Sequence, residues 1–456
     1  MSKAERVAGT SRAERGIDAP QVIIETQVSG GLPGFAMVGL PETAVREARE
    51  RVKGAIQASR FTFPKGKITV NLAPADLPKE GGRFDLGIAL GILAHTGALP
   101  ATRLHRFEAI GELGLYGEIR PVRGALSAAI AAGNAGHGII VPRPNRHEAG
   151  LAHGVDVRAV EHLDEACALL NSPDGEIGKT GDGITHTLPA QLALSDVKGQ
   201  PAAKRALEIA AAGAHHLLFM GPPGTGKTML AERLNSLLPA LTESDALEVV
   251  RIHSAHGTFD AHVLHGVRPL RAPHHTASAA ALVGGGGRIP SPAQFQLIAA
   301  MNPCPAGRAC SESDCVCSLE QQRRYRNRIS GPLLDRIDLR VFVPNLDSSV
   351  LFAASASRTD IDEVRARVEV AHRTQLARAG KLNSRLTPPE IDAYCELDGA
   401  GRLWMGRAMD KLGLSARGVH RVLKVARTLA DLVGDVSIAS PHLTEALAYR
   451  EIRVDY

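Results

Sequence analysis

The sequence predicts an α/β protein of about two or three domains, and three observations carry that expectation. A glycine-rich loop lies between a short apolar strand and a helix. Apolar residues alternate at period two in some stretches and recur at helical spacing in others. A stretch over 171–187, rich in Gly, Asp and Thr and without an apolar period, separates the halves and reads as a linker.

The elements follow in order. Residues 21–28 are β-branched and read as a strand. From Thr43 a helix is expected, with Val45, Ala48, Val52 and Ile56 on one face. Ile68, Val70 and Leu72 alternate like a half-buried strand. Residues 85–94 read as a buried helix, 125–132 as a small-residue helix, and 139–141 as a strand. After the linker, 203–212 is helical and 216–220 is an apolar strand entering the glycine loop. A Gly-rich stretch, 284–287, precedes another apolar strand, 295–301. A last strand over 339–343 ends at Pro344. The tail from Ser349 is helical, with Val422, Val425, Ala426, Leu429 and Leu432 on one face. No internal repeat is present. The expected domains are 1–170, a linker 171–190, a core 191–348 and a helical part 349–456.

Composition narrows the function. Aromatics are 4%, too few for a base-stacking surface, and the net charge of +5 only permits a polyanionic partner. No window is long and apolar enough to span a membrane. The first fifteen residues mix charge signs around no apolar core, so they are not a secretory signal. Six cysteines, four of them within 304–317, do not make a secreted disulfide framework, and a cytoplasmic protein is expected.

The loop Gly221-Pro222-Pro223-Gly224-Thr225-Gly226-Lys227-Thr228 fills every fixed position of a phosphate-binding motif, in strand–loop–helix context. Backbone N–H groups and the helix dipole hold phosphate oxygens there. Lys227 would neutralise the β- and γ-phosphates of ATP, and Thr228 would ligate Mg²⁺. Turnover needs more: an acid at the end of a neighbouring strand, with a Glu to polarise water. Between Glu248 and Glu312 the only acid is Asp260, after the poor strand His256-Gly257-Thr258-Phe259.

Several stretches together resemble one family. They are Gly31-Leu32-Pro33 with Val38-Gly39-Leu40-Pro41-Glu42-Thr43, the run from Asn71 to Gly82, and the phosphate loop. Ala272-Pro273-His274-His275-Thr276, Ala300-Met301-Asn302-Pro303-Cys304 and Ser330-Gly331-Pro332-Leu333-Leu334-Asp335-Arg336 complete the set. The chain is similar, over nearly its whole length, to the ComM (YifB) family of magnesium-chelatase-like AAA+ proteins.

The resemblance implies a P-loop AAA+ core, an N-terminal Lon-protease-like (S5-like) α/β domain, a C-terminal helical subdomain and a hexameric ring. It implies ATP-driven DNA branch migration in recombination and natural transformation. By position, Asn302 would be the polar sensor, Arg336 the arginine finger for the neighbouring subunit, and Arg417 the second sensor, with Arg421 the competing choice. For each Arg the alternative is a surface salt bridge.

The chain departs from the family in one place. Roughly fifty residues, including an apolar strand ending in Asp-Glu, stand in the family between the Gly-rich stretch and the sensor strand. Here 287–292 run almost directly into 293–295. ATP binding is expected, and the missing acids leave turnover open. The Lon-like domain also lacks Lon chemistry. A Ser–Lys protease needs a serine and a lysine of lowered pKa. The corresponding regions, 79–85 and 120–126, have neither in place, and Ser127 and Lys79 are expected to be surface residues. An assembly or DNA-contacting platform is expected instead.

Cys304, Cys310, Cys315 and Cys317 suit a tetrahedral Zn²⁺ site, or are unligated thiols. Position 306, a cysteine in the family pattern, is Ala306. Cys167 and Cys395 read as packing residues. His274 and His275 fit a nucleotide contact, a metal contact or a structural turn. Arg323, Arg324, Arg326 and Arg328 could contact DNA phosphates, or form a solvated helix face. Three readings result: an ATP-dependent DNA-remodelling motor, a non-hydrolysing ATP- and DNA-binding protein, and a magnesium-chelatase-like motor subunit. The N-terminal domain and the cysteine loop count against the third.

Overall fold

The computed structural model describes residues 7–39, 42–79, 81–172, 192, 194–273, 295–306, 317–326, 331–346 and 361–450. The strands are Val7–Arg12 (β1), Gln21–Ser29 (β2), Gly34–Val38 (β3), Lys67–Ala73 (β4), Phe107–Ala109 (β5) and Glu112–Leu113 (β6). Ile119–Arg120 (β7), Gly138–Pro142 (β8), Val157–Val160 (β9), Leu217–Met220 (β10), Ile298–Met301 (β11) and Leu339–Phe342 (β12) follow. The helices begin with Glu42–Ala58 (α1), Asp85–His95 (α2), Ala101–Leu104 (α3), Ala125–Asn134 (α4), Arg146–Ala149 (α5) and Leu163–Asn171 (α6). Pro201–Gly213 (α7), Lys227–Glu232 (α8), Glu243–Ala255 (α9), Leu319–Arg326 (α10) and Gly331–Arg336 (α11) come next. Ile361–Ala379 (α12), Pro388–Tyr394 (α13), Gly399–Leu412 (α14), Ala416–Val433 (α15) and Ser440–Ala448 (α16) end the chain.

Two compact units form. One contains the described residues of Met1–Thr187 and Leu241–Val267, the other those of Leu188–Ala240, Arg268–Arg288 and Gln294–Tyr456.

The first unit is built on a mixed seven-stranded sheet of order β3-β4-β2-β1-β5-β8-β9. Ile68, Val70 and Leu72 are buried on one face of β4, as their alternation predicts. Ala48, Val52 and Ile56 are buried along α1. Helix α2 is buried on all sides, because Gly87 and Gly91 let it sit against the sheet. A Cβ at Gly87 would lie 2.6 Å from Ile24 Cδ1, and one at Gly91 2.7 Å from Thr26 Oγ1.

Strand β1 is absent from the expectations. It carries Arg12 into the sheet, where the guanidinium meets both carboxylate oxygens of buried Glu108 on β5. His137 Nδ1 lies 2.9 Å from the same carboxylate.

Segment Leu241–Val267, inside the expected 191–348 stretch, clusters with this unit for a plain reason. Thr242 caps α9 by accepting from Asp245 N. Ala246 and Val250 are then buried in one apolar cluster with Ala125 and Ala129 of α4. Ser254 donates to Glu148, and Gly124 N donates to Ser254 O at 3.0 Å.

Lys79 and Ser127 correct an expectation: both are buried. Lys79 Nζ donates to the carbonyls of Pro74 and Leu77, and Ser127 accepts from Arg251 Nε at 3.4 Å. Their carbonyl and guanidinium partners remove the reason to place them in solvent.

The second unit holds a parallel three-stranded sheet of order β11-β10-β12. Central β10 is wholly buried, β12 is mixed, and β11 is half-exposed, with Ala300 exposed. Among the described residues β11 pairs only with β10. The strand is shorter than expected. Gln296 spends its side chain on the carbonyls of Ala210 and His215, and Phe295 stacks on His216 with 6.1 Å between ring centroids.

Helix α7 packs on this sheet and on the C-terminal helices α12 and α15. The last carbonyls of α7 are satisfied from α12: His372 Nε2 lies 2.9 Å from Ala211 O, and Gln375 donates to Ala212 O at 3.0 Å. The predicted apolar face of α15 is buried at every named position.

Candidate nucleotide site

Strand β10 delivers the chain into the loop at Gly221, whose N–H donates to Met301 O at 3.3 Å. On the other side Val343 N donates to Met220 O at 2.7 Å. The loop is therefore held from both neighbouring strands. A side chain at Gly221 is impossible here, since its Cβ would lie 2.1 Å from Val343 O. Gly226 caps α8 at φ 85°, a left-handed conformation that glycine adopts without strain.

Lys227 is buried inside the loop. Its Nζ donates to Gly221 O at 2.8 Å and to Pro222 O, with Thr225 Oγ1 at 3.4 Å. Burial lowers its pKa. Thr225 also donates to Pro222 O, at 3.0 Å, while Thr228, Pro223 and Gly224 face solvent. The loop thus presents an ammonium, a close-wrapped backbone and an exposed hydroxyl at the first turn of a helix. That donor set fits a polyphosphate with a bound divalent cation.

Asn302 follows β11 directly and is half-buried, one residue after the carbonyl that holds Gly221. Arg336 is the exposed last residue of α11. Arg417 is exposed in the first turn of α15, while Arg421, one turn on, donates to Asp338 Oδ1 at 2.5 Å and to Arg336 O at 2.9 Å. Burial resists ionisation of Asp338, but His215 and the Arg421 guanidinium outweigh it and hold the carboxyl well below the usual range. Neither Arg421 nor its acceptor is legible as a pair from the sequence.

Asp260, the one acid between Glu248 and Glu312, accepts from His262 N at 3.0 Å and caps a short 3₁₀ turn in the first unit. It stands at the end of no strand. Cys304 is buried and Cys317 is half-buried. Cys310, Cys315, His274, His275, Arg328, the Gly-rich stretch 284–287 and most of the expected linker lie outside the described residues. Among the described residues no group of three or more His, Cys, Asp or Glu could hold a metal ion. On α10, Arg323 and Arg324 are exposed, and Arg324 pairs with Glu320 at 2.6 Å. No helix among the described residues is long and apolar enough to cross a membrane.

The chain is similar to known proteins over nearly its whole length. A family model described as subunit ChlI of Mg-chelatase matches residues 24–145. One for magnesium chelatase, subunit ChlI, matches 193–292 and 287–351, and one for the ChlI C-terminal part matches 359–450. The chain is 42% identical to YifB of Escherichia coli, over 97% of this chain and 96% of that protein. It is 42% identical to the competence protein ComM of Haemophilus influenzae, over 96% of both. An uncharacterized protein of Mycobacterium tuberculosis is 38% identical over 97% of this chain and 98% of its own length.

The alignment with YifB runs over 490 positions, although the chain has 456 residues, so at least 34 positions have no counterpart here. The central family model matches in two pieces that overlap at 287–292, the place where the sequence is expected to depart from the family. The model over the first unit carries the chelatase subunit's name, so that unit does not count against a chelatase role. The full-length similarity to a competence protein is what favours the other reading.

Proposed function

The chain belongs to the ComM/YifB family of magnesium-chelatase-like proteins, and from that premise we propose that it is an ATP-binding AAA+ protein acting on DNA in competence and recombination. The observation that carries the reading is the loop at 221–228, closed around the buried Lys227 ammonium.

On binding ATP, the ammonium exchanges the carbonyls of Gly221 and Pro222 for phosphate oxygens, and the turn at Gly224 and Gly226 supplies N–H donors. Thr228 would hold Mg²⁺, which would neutralise phosphate charge. Asn302, beside the loop, orients the γ-phosphate. Arg336 reaches the site of the next subunit in a hexameric ring, and Arg417 approaches from α15. Arg323 and Arg324, exposed on α10, would meet DNA phosphates, with the Lon-like first unit as an assembly platform. Zinc has no part in this proposal, because among the described residues no group of three or more His, Cys, Asp or Glu could hold a metal ion.

The proposal is of binding without turnover, since no acid follows an apolar strand between Lys227 and Asn302. A second reading, an ATP-driven branch-migration motor, is favoured by the place of Asn302 at the end of β11. Titrating a fluorescent ATP analogue, and then single- and double-stranded DNA at two salt concentrations, tests the proposal. It predicts nucleotide binding that Lys227→Ala removes, and DNA binding that weakens with salt. DNA binding that is absent at low salt with ATP present contradicts it.

A further inference from the structure

Helix α11 has six residues, too few to hold its own shape in water. Its carbonyl end is held from outside by three guanidinium groups. Arg340 Nη2 donates to Leu334 O at 3.1 Å, Arg421 Nη1 to Arg336 O at 2.9 Å, and Arg450 Nη1 to Ile337 O at 2.8 Å. Orphan carbonyls at a helix C-terminus accept such donors, and the dipole favours their charge.

One of these contacts differs from the others. The Nη1 atom that caps Arg336 O also meets Asp338 Oδ1 at 2.5 Å, and the side chain of Asp338 is 5% exposed. The other oxygen, Oδ2, accepts from His216 N at 3.2 Å and faces His215 Nδ1 at 3.4 Å. Completely buried His215 reaches Thr428 Oγ1 at 2.8 Å through Nε2. Arg421 and Thr428 are two turns apart on one side of α15. The C-terminal helix therefore grips the turn after Arg336 at two points, through one carboxylate.

We propose that Arg421 and Asp338 are positioning residues for Arg336, so that α15 sets the direction in which this arginine is presented. Arg421 then serves Arg336 and not the nucleotide, with its Nη1 held between Arg336 O and Asp338 Oδ1. A shift of α15 that follows the nucleotide at Arg417 moves the carbonyl of Arg336 with it. The proposal rests on reading Arg336 as the residue that reaches the neighbouring subunit's γ-phosphate.

The test compares the wild type, Arg336→Ala, Arg421→Ala, the double variant and Arg421→Lys. Affinity for ADP and for ATPγS is measured by displacement of a fluorescent nucleotide. ATPγS-dependent assembly is followed by sedimentation velocity. Hydrogen exchange over 331–340 reports the turn itself. Arg336→Ala and Arg421→Ala are expected to lower the preference for ATPγS over ADP by the same factor, roughly tenfold, inside the usual coupling range. The double variant is expected to be no worse than either. ADP affinity stays within about twofold, because neither residue belongs to the subunit's own loop. Arg421→Lys keeps part of the preference, since an ammonium lacks the fork. Exchange over 331–340 rises in Arg421→Ala, which separates local release from global unfolding.

Wild-type preference in Arg421→Ala with a loss in Arg336→Ala overturns the proposal, as do losses that multiply in the double variant. Wild-type preference in Arg336→Ala overturns the finger reading and the proposal with it. That case is recognised by Arg421→Ala still releasing the turn.

Discussion

The two sheets solve the same problem differently. In the first unit, β1 and β2 lie inside seven strands, and buried charges are matched within that unit, as Arg12 with Glu108 and Arg51 with Asp85. In the second, β10 is buried between only two neighbours, and β11 lies half-exposed next to the nucleotide loop. The narrow sheet is supported by helices instead: α7 covers it, and α12 and α15 cover α7. The narrow sheet depends on its single buried strand and on the C-terminal helices, which also hold the turn at Arg336. Among the described residues the phosphate loop takes its shape from β10, β11 and β12.

That contrast can be broken at several points. Phe219→Ala empties the centre of β10 and is expected to cost about 4 kcal/mol, read by urea unfolding followed by nucleotide binding. A loss below about 1 kcal/mol would mean that β10 is not the core of that unit. In the first unit, Glu108→Gln leaves Arg12 buried beside a neutral group, and about 3 kcal/mol should be lost. An unchanged unfolding midpoint would show that the pair contributes nothing.

Asp338→Asn should cost about 2 kcal/mol at neutral pH, as a charged hydrogen bond is lost. The folded carboxyl titrates below its unfolded value, so its stabilisation is present above about pH 4 and disappears as pH falls. The gap between wild type and Asp338→Asn should therefore close below about pH 4, and a gap that widens there would reverse the sign. Ala300→Lys, on the exposed part of β11, should change stability by less than about 0.5 kcal/mol. A large loss would reveal a partner covering that edge.

How much of this was legible follows from where the information lies. The alternation of Ile68, Val70 and Leu72, the stripe of α15 and the phosphate loop are local patterns, and each lies where the sequence predicts. Strand β1 is not local. Its Arg12 makes sense only beside Glu108, 96 residues away. Helix α9 is absent from the expectations, and its place in the first unit depends on Ser254 meeting Glu148, 106 residues earlier. At the site, Lys227 is legible from spacing, whereas Asn302 is placed only by the family resemblance. Arg421 shows why the rest was hidden. The sequence offers two arginines one turn apart, and only the acceptor at Asp338, 83 residues away, tells them apart.

On the proposed function the loop binds ATP, and the acids that would turn it over are missing from the sequence. Phosphate release, measured with and without DNA on the wild type and on Lys227→Ala, tests it most directly. The wild type is expected to bind ATP and to release phosphate no faster than Lys227→Ala under either condition. DNA-stimulated phosphate release that Lys227→Ala abolishes would contradict it.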